Sequence, residues 1–226
     1  MNAAFLKSRL VATVLVFASA AASAAPAPPA PPAVHLEKTP ARIERRVFDP
    51  KNPPPEMPVL KASETAVCEY KFGCDTRLGF ELPRLSLKTS TATVTACEIS
   101  VHLDITVWTP VNASPALVAH EETHREICEA YYEHVEPVAR QLAEAVIGRK
   151  LTVPSANRES ATDQAVRAVQ KELIKNFLAQ TAERCTDAQE RFDLITDHSR
   201  KPIANADAKE RALAEEFARA GPGFPR

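Results

Sequence analysis

The stretch His120-Glu121-Glu122-Thr123-His124 decides how the rest of the chain is read. Histidines four residues apart on an α-helix project from one face a turn apart, so both imidazoles can reach a single ion. A glutamate directly after the first histidine can sit beside that ion. There it can take a proton from a water the ion polarises and pass it to a leaving amine. The pattern is the HExxH of zinc hydrolases. Its chemistry requires a helix, and the flanks supply one: Ser114-Pro115 gives an N-cap with proline at the first helical position. Leu117, Val118, Ile127, Cys128, Tyr131 and Val135 continue an apolar stripe at helical spacing. The blander reading of the pentad is a solvated, charged turn of an amphipathic helix.

Working back towards the N-terminus, residues 91–109 alternate. Thr93, Thr95, Cys97, Ile99, Val101, Leu103, Ile105 and Val107 point one way, and Glu98, Ser100, His102, Asp104 and Thr106 the other, which predicts a half-buried strand. His102 reads as a solvated strand histidine. A strand just before an HExxH helix commonly flanks the cleft of zinc peptidases, so this strand is the expected platform for an extended peptide. Cys68 and Cys74 bracket Gly73 at a spacing that suggests a small disulfide-closed loop.

Residues 26–58 are rich in proline and alanine and read as an extended linker, with the folded domain beginning at 59. Residues 1–25 have the form of a secretory signal peptide: Lys7 and Arg9, an apolar run from Leu10 to Ala22, then Ala22-Ser23-Ala24. That run is too short for a comfortable membrane span. A periplasmic or secreted protein with no integral membrane segment after signal removal is expected. Without Lys7 and Arg9, 26 basic residues stand against 29 acidic ones, a net charge of −3, so nucleic acid is not an expected partner. The five cysteines fall after the signal, in a compartment where disulfides persist, and an odd number leaves one unpaired.

Towards the C-terminus the HExxH helix should run from Pro115 to Gly148 with an interruption at Pro137. His134 lies about 15 Å beyond His124 along a continuous helix, too far to share its ion. After Leu151-Thr152-Val153, a second long helix is expected from near Ser160 to Ile195, packed against the first. Residues 201–226 read as a tail that forms one more helix up to Gly221. The fold class is α+β: a small antiparallel or mixed sheet packed on the HExxH helix and a second long helix.

A catalytic zinc needs a third protein ligand, and the end of the second helix, Gln189 to His198, holds the densest group of possible donors outside the pentad. If Cys128 forms a disulfide with Cys185 across an antiparallel helix pair, facing residue numbers sum to about 313, and Asp193 faces His120. Asp193 is therefore the leading third ligand, with His198 and Glu190 as alternatives. Asp197 is placed to bond the far nitrogen of a ligating histidine; the blander reading is that Asp197-His198 caps the helix before Pro202. His198 falls at the edge, as a donor to the oxyanion of a tetrahedral intermediate.

Ala119-His120-Glu121-Glu122-Thr123-His124-Arg125-Glu126-Ile127 with the distant Phe192-Asp193-Leu194-Ile195-Thr196-Asp197-His198 resembles the bacterial family of predicted secreted zinc-dependent proteases, over about residues 60–200. Ser199 stands where that family usually has glycine. The resemblance implies a zincin-like fold, Zn2+ as cofactor, and hydrolysis of a peptide or protein substrate. The expectation from sequence is an exported zinc metallopeptidase with His120, His124 and Asp193 as ligands and Glu121 and His198 as catalytic groups. The alternative is a non-catalytic periplasmic binding or scaffold module of the same fold. Substrate and oligomeric state are not legible in the sequence.

Overall fold

The computed structural model describes residues 33–61, 64–81, 89–154, 158–198 and 200–219. The expected signal peptide and the first residues of the expected linker lie outside them. Ten elements follow in order: strands β1 (Val34–Lys38), β2 (Arg42–Phe48), β3 (Val67–Glu81) and β4 (Thr89–Pro110), helices α1 (Pro115–Glu133) and α2 (Val135–Val146), β5 (Lys150–Pro154), then α3 (Arg158–Gln180), α4 (Ala182–Thr196) and α5 (Asn205–Arg219). The class is α+β.

The 22-residue β4 is the spine of the sheet. On one edge it pairs antiparallel with β3. On the other, three strands lie end to end: β5 antiparallel beside Thr89–Thr93, β1 parallel beside Cys97–Val101, and β2 parallel beside Asp104–Pro110. The sheet is therefore mixed, with two parallel strands that an antiparallel sheet would lack.

Those parallel strands correct the linker reading. Prolines dominate 26–32 and 50–58, but between them Val34 and Leu36 alternate with His35 and Glu37, and 42–48 is a strand of alternating exposure ending in buried Phe48. Averaging composition across 26–58 hides a period of two that β4 can bury. Pro40 merely breaks one strand into two. Tyr132 of α1 closes that gap, its hydroxyl 2.5 Å from the Thr39 carbonyl and 2.9 Å from that of Val101.

From Cys97 to Val107 the expected alternation holds, and that face forms the core against the helices. Upstream it inverts: Ala92 and Val94 are buried, whereas Thr95 is exposed. The cause is a bulge. Gly79 faces Ala96 but Phe80 faces Val94, leaving Thr95 as the extra residue, and one added residue swaps the two faces.

Cys68 and Cys74 do not close a loop. Both lie on β3, six residues apart and so about 20 Å along one strand, beyond the span of a disulfide. Gly73 is not in a turn either; it sits mid-strand opposite His102, whose ring occupies the space a Cβ would take.

Both long helices are broken. The first ends at Glu133 and restarts at Val135, with the break at His134, three residues before Pro137, because a proline ring clashes with the carbonyl one turn earlier. His134 at the break packs edge-on against Phe217 of α5, 5.6 Å between ring centres. The second breaks at Thr181, whose φ of −120° and ψ of −72° lie outside the helix and whose hydroxyl donates to the Phe177 carbonyl at 2.7 Å. No proline signals that break. The expected tail is part of the fold: α5 buries Ala208, Ala212 and Glu216. No helix among the described residues is long and apolar enough to cross a membrane.

Candidate metal centre

Helix α1 starts as its sequence dictates, with Ser114 Oγ accepting from the Leu117 amide at 3.2 Å. It buries one face against the sheet and α4, so that His120, Glu121, Thr123 and His124 are all buried despite being polar. Buried polar groups need partners. α4 supplies them in strict antiparallel register: Cys128 beside Cys185, His124 beside Gln189, His120 beside Asp193. The two sulfurs are 3.8 Å apart and unbonded, so the register comes from packing of the helices rather than from a disulfide.

His120 Nε2, His124 Nε2 and Asp193 Oδ1 form a triangle with all three sides 3.1 Å. Adjacent donors on a tetrahedral zinc at 2.0–2.1 Å are roughly 3.3 Å apart, so these residues fit such an ion. They are the one cluster of three or more His, Cys, Asp or Glu donors suited to a metal among the described residues.

Gln189 shows that the fit is chemical as well as geometric. Its Nε2 donates to the His124 carbonyl at 2.9 Å, which fixes the amide orientation and turns Oε1 to His124 Nδ1. Nδ1 must then carry a proton. In a neutral imidazole that leaves Nε2 with a bare lone pair, aimed at the Asp193 carboxylate. Two acceptors at 3.1 Å repel unless a cation lies between them. In the absence of an ion a second proton plays that part. Burial alone would pull the His124 imidazole down, but the bond and charge of Asp193 hold it above its ordinary value. Asp193 is likewise held well below the usual carboxylate range by both histidines, against the penalty of burial. Phe192 fixes the rings, stacked on His120 at 4.9 Å and edge-on to His124 at 5.0 Å. His120 Nδ1 is buried and has no hydrogen-bond partner among the described residues.

Glu121, buried at 5% exposure, lines the same cleft and is not part of the triangle. Burial pushes its carboxyl up to about 7, with Asp193 and Glu64 adding to the rise and the charge of His124 and the Cys68 backbone amide opposing it. Glu122, next in the pentad, turns outward and is forked by Arg45 of β2 at 2.6 and 2.9 Å, with Arg125 at 2.6 Å. The segment read as a tether thus grips the site helix.

The other expected donors are placed apart. His198 is 43% exposed at the rim, with Nδ1 3.5 Å from Asp193 Oδ1. Asp197 and His198 both take positive φ, 49° and 51°, in the αL turn that ends α4. Asp197 caps the helix, and the bond to His124 expected of it comes from Gln189 instead. Glu190 lines the cleft but lies outside the triangle. His102 is on the outer face of the sheet, 3.8 Å from Asp75. β4 cannot be the platform for an extended peptide, since both its edges are paired; β3 is the strand whose residues Val67, Cys68 and Tyr70 line the cleft. The roles of Gln189 and Phe192 follow from the same register that pairs Asp193 with His120, extended by one turn and by one residue.

The cleft has a volume of about 220 Å3. Comparison of the chain with protein-family models, with curated proteins and with solved structures returns no match. The resemblance to secreted zinc proteases therefore rests on the two motifs themselves.

Proposed function

We propose that the chain is an exported, zinc-dependent peptide hydrolase of zincin-like build. The observation that carries this reading is the 3.1 Å triangle of His120, His124 and Asp193 with the His124 proton held on Nδ1 by Gln189. When bound there, a zinc ion polarises a carbonyl oxygen and brings the pKa of a water towards neutrality. The remaining chemistry belongs to the chain. Glu121, beside the triangle and lining the same open cleft, accepts the proton of the attacking water as the new C–O bond forms. It then delivers that proton to the amine nitrogen as the C–N bond breaks. His198, exposed at the rim, donates to the oxyanion. β3, which pairs with β4 alone among the described strands, offers backbone groups on its other edge to an extended peptide. Export follows from Lys7, Arg9 and the apolar run after them.

A quenched-fluorescence peptide library tests this directly. Cleavage by the zinc-loaded protein, stopped by a chelator and absent in Glu121→Gln at equal zinc content, is the expected result. Equal turnover by the wild type and Glu121→Gln would remove the glutamate from its role.

A further inference from the structure

A second cavity, larger than the metal cleft, adjoins it. Glu64 and Thr65 line both. Its volume is about 650 Å3, within the roughly 300–1,000 Å3 of small-ligand pockets. Its walls are apolar: Phe48, Met57, Leu60, Pro110 and the proline run 53–55. Prolines have no amide hydrogen and fixed φ, so this wall offers few donors and little freedom to collapse. Short-range bonds hold the loop in shape, from the Asn52 amide to the Asp49 carbonyl at 2.9 Å and from the Met57 amide to the Pro54 carbonyl at 3.0 Å. Arg46 ties it to β2 through Glu56 at 3.3 Å. A preformed apolar cavity avoids the ordering cost that a floppy loop would incur on binding.

Resting on the peptidase reading, we infer that this cavity is the specificity pocket of the metal cleft, taking one large aliphatic or aromatic side chain of the peptide whose scissile bond lies over His120, His124 and Asp193. The shared wall is the argument for that occupant. A peptide crossing the cleft along β3 passes Thr65 and Glu64, and the nearest space for a side chain beyond them is walled mainly by carbon. Glu64 itself is engaged by Lys61, with Nζ at 3.3 Å and the backbone amide at 3.0 Å, so it partitions the two spaces without filling either.

The sequence holds two methionines, Met1 and Met57, so a methyl-labelled protein reports on the cavity through a single resonance, assigned with Met57→Leu. Zinc-loaded Glu121→Gln would be titrated with Gly/Ser hexapeptides carrying one leucine at each position in turn, and with the same set carrying asparagine. The expected result is a saturable Met57 shift from leucine at one position, at least tenfold weaker binding of the asparagine counterpart, and loss of that preference in Leu60→Asp and the milder Leu60→Asn. Active protein should show the same preference in kcat/KM, while zinc content stays unchanged in both variants. Cleavage with no apolar preference and no Met57 shift would overturn the pocket and leave the peptidase reading standing. A selective Met57 shift with no cleavage of any peptide would defeat the peptidase reading while the pocket's apolar selectivity stands. A Met57 shift that depends on protein concentration, or that disappears when residues 1–32 are removed, would assign the cavity to a second copy or to the chain's own N-terminus and overturn the proposal.

Discussion

Gln189 grips His124 twice, accepting a hydrogen bond from Nδ1–H with its amide oxygen and donating an amide hydrogen to the carbonyl of the same residue at 2.9 Å. One side chain thereby sets both the tautomer and the height of an imidazole in the candidate metal cluster. The same amide nitrogen lies 3.0 Å from Cys128 Sγ, which ties the clamp to the packing of α1 on α4.

Replacing Gln189 by leucine should preserve the fold and weaken zinc binding by about 10–100-fold, the usual cost of losing a partner behind a ligating histidine. Competition with a chromophoric chelator measures this. Unchanged affinity would show that helix packing alone orients His124.

The choice of third ligand separates cleanly. Asp193→Ala removes one corner of the triangle and should empty the site at micromolar zinc. Glu190→Ala should leave zinc binding intact, because Glu190 borders the cleft without joining the cluster. His198→Ala should bind zinc while losing turnover. Elemental analysis of the three proteins decides it, and retention of zinc by Asp193→Ala would overturn the assignment.

Glu121 predicts a pH dependence of the metal-free protein. Its folded-state pKa, about 7, is raised above the ordinary 4.5, so between those values the folded state holds a proton that the unfolded state releases. The stabilisation is fully present below about pH 4.5 and is lost as pH rises through 7. Glu121→Gln escapes that loss. Urea unfolding should find the variant more stable than the wild type by about 3 kcal/mol at pH 8, relative to their difference at pH 4.5. No change in that difference with pH would mean that the carboxylate is well solvated.

Gly73 and His102 should couple. A Cβ at residue 73 would lie 1.9 Å from His102 Nε2, so Gly73→Ala turns the half-exposed ring off the strand, at the cost of an altered rotamer, about 0.5–1.5 kcal/mol. His102→Ala should recover most of that cost in the double variant, a coupling that a double-mutant cycle reads by thermal unfolding. Additive costs would place the strain elsewhere.

The N-terminal strands can be tested by deletion. A chain beginning at residue 59 lacks β1 and β2, exposing the backbone edge of β4 from Cys97 to Pro110 and removing the Arg45 fork on Glu122. It should aggregate or melt without a cooperative transition. A sharp transition with zinc still bound would restore the reading of this segment as a tether.

The candidate metal cluster is legible in sequence because its parts obey helical geometry: a four-residue spacing within α1 and an antiparallel register across α1 and α4 that the cysteines mark. That register needs no disulfide, since shape alone seats Cys128 beside Cys185. Features outside the reach of local periodicity are harder to read. The bulge at Thr95 inverts the faces of β4 with no glycine or proline beside it in β4 itself; the adjacent glycine, Gly79, is on the partner strand. Thr181 breaks the second helix where sequence spacing runs on. Residues 34–48 become strands because β4 is long enough to accept two of them in line, a fact of the partner strand and not of their own composition. The edge exposed to the cleft is set by strand order, and the parallel pairing that makes β4 central is long-range.

Zinc content of the purified protein and of His124→Ala, by elemental mass spectrometry, tests the central claim most directly. About one zinc per chain in the first and none in the second is the result these geometries predict. A protein that takes up no zinc even when it is supplied in excess would contradict the metal centre, and with it the peptidase reading built on it.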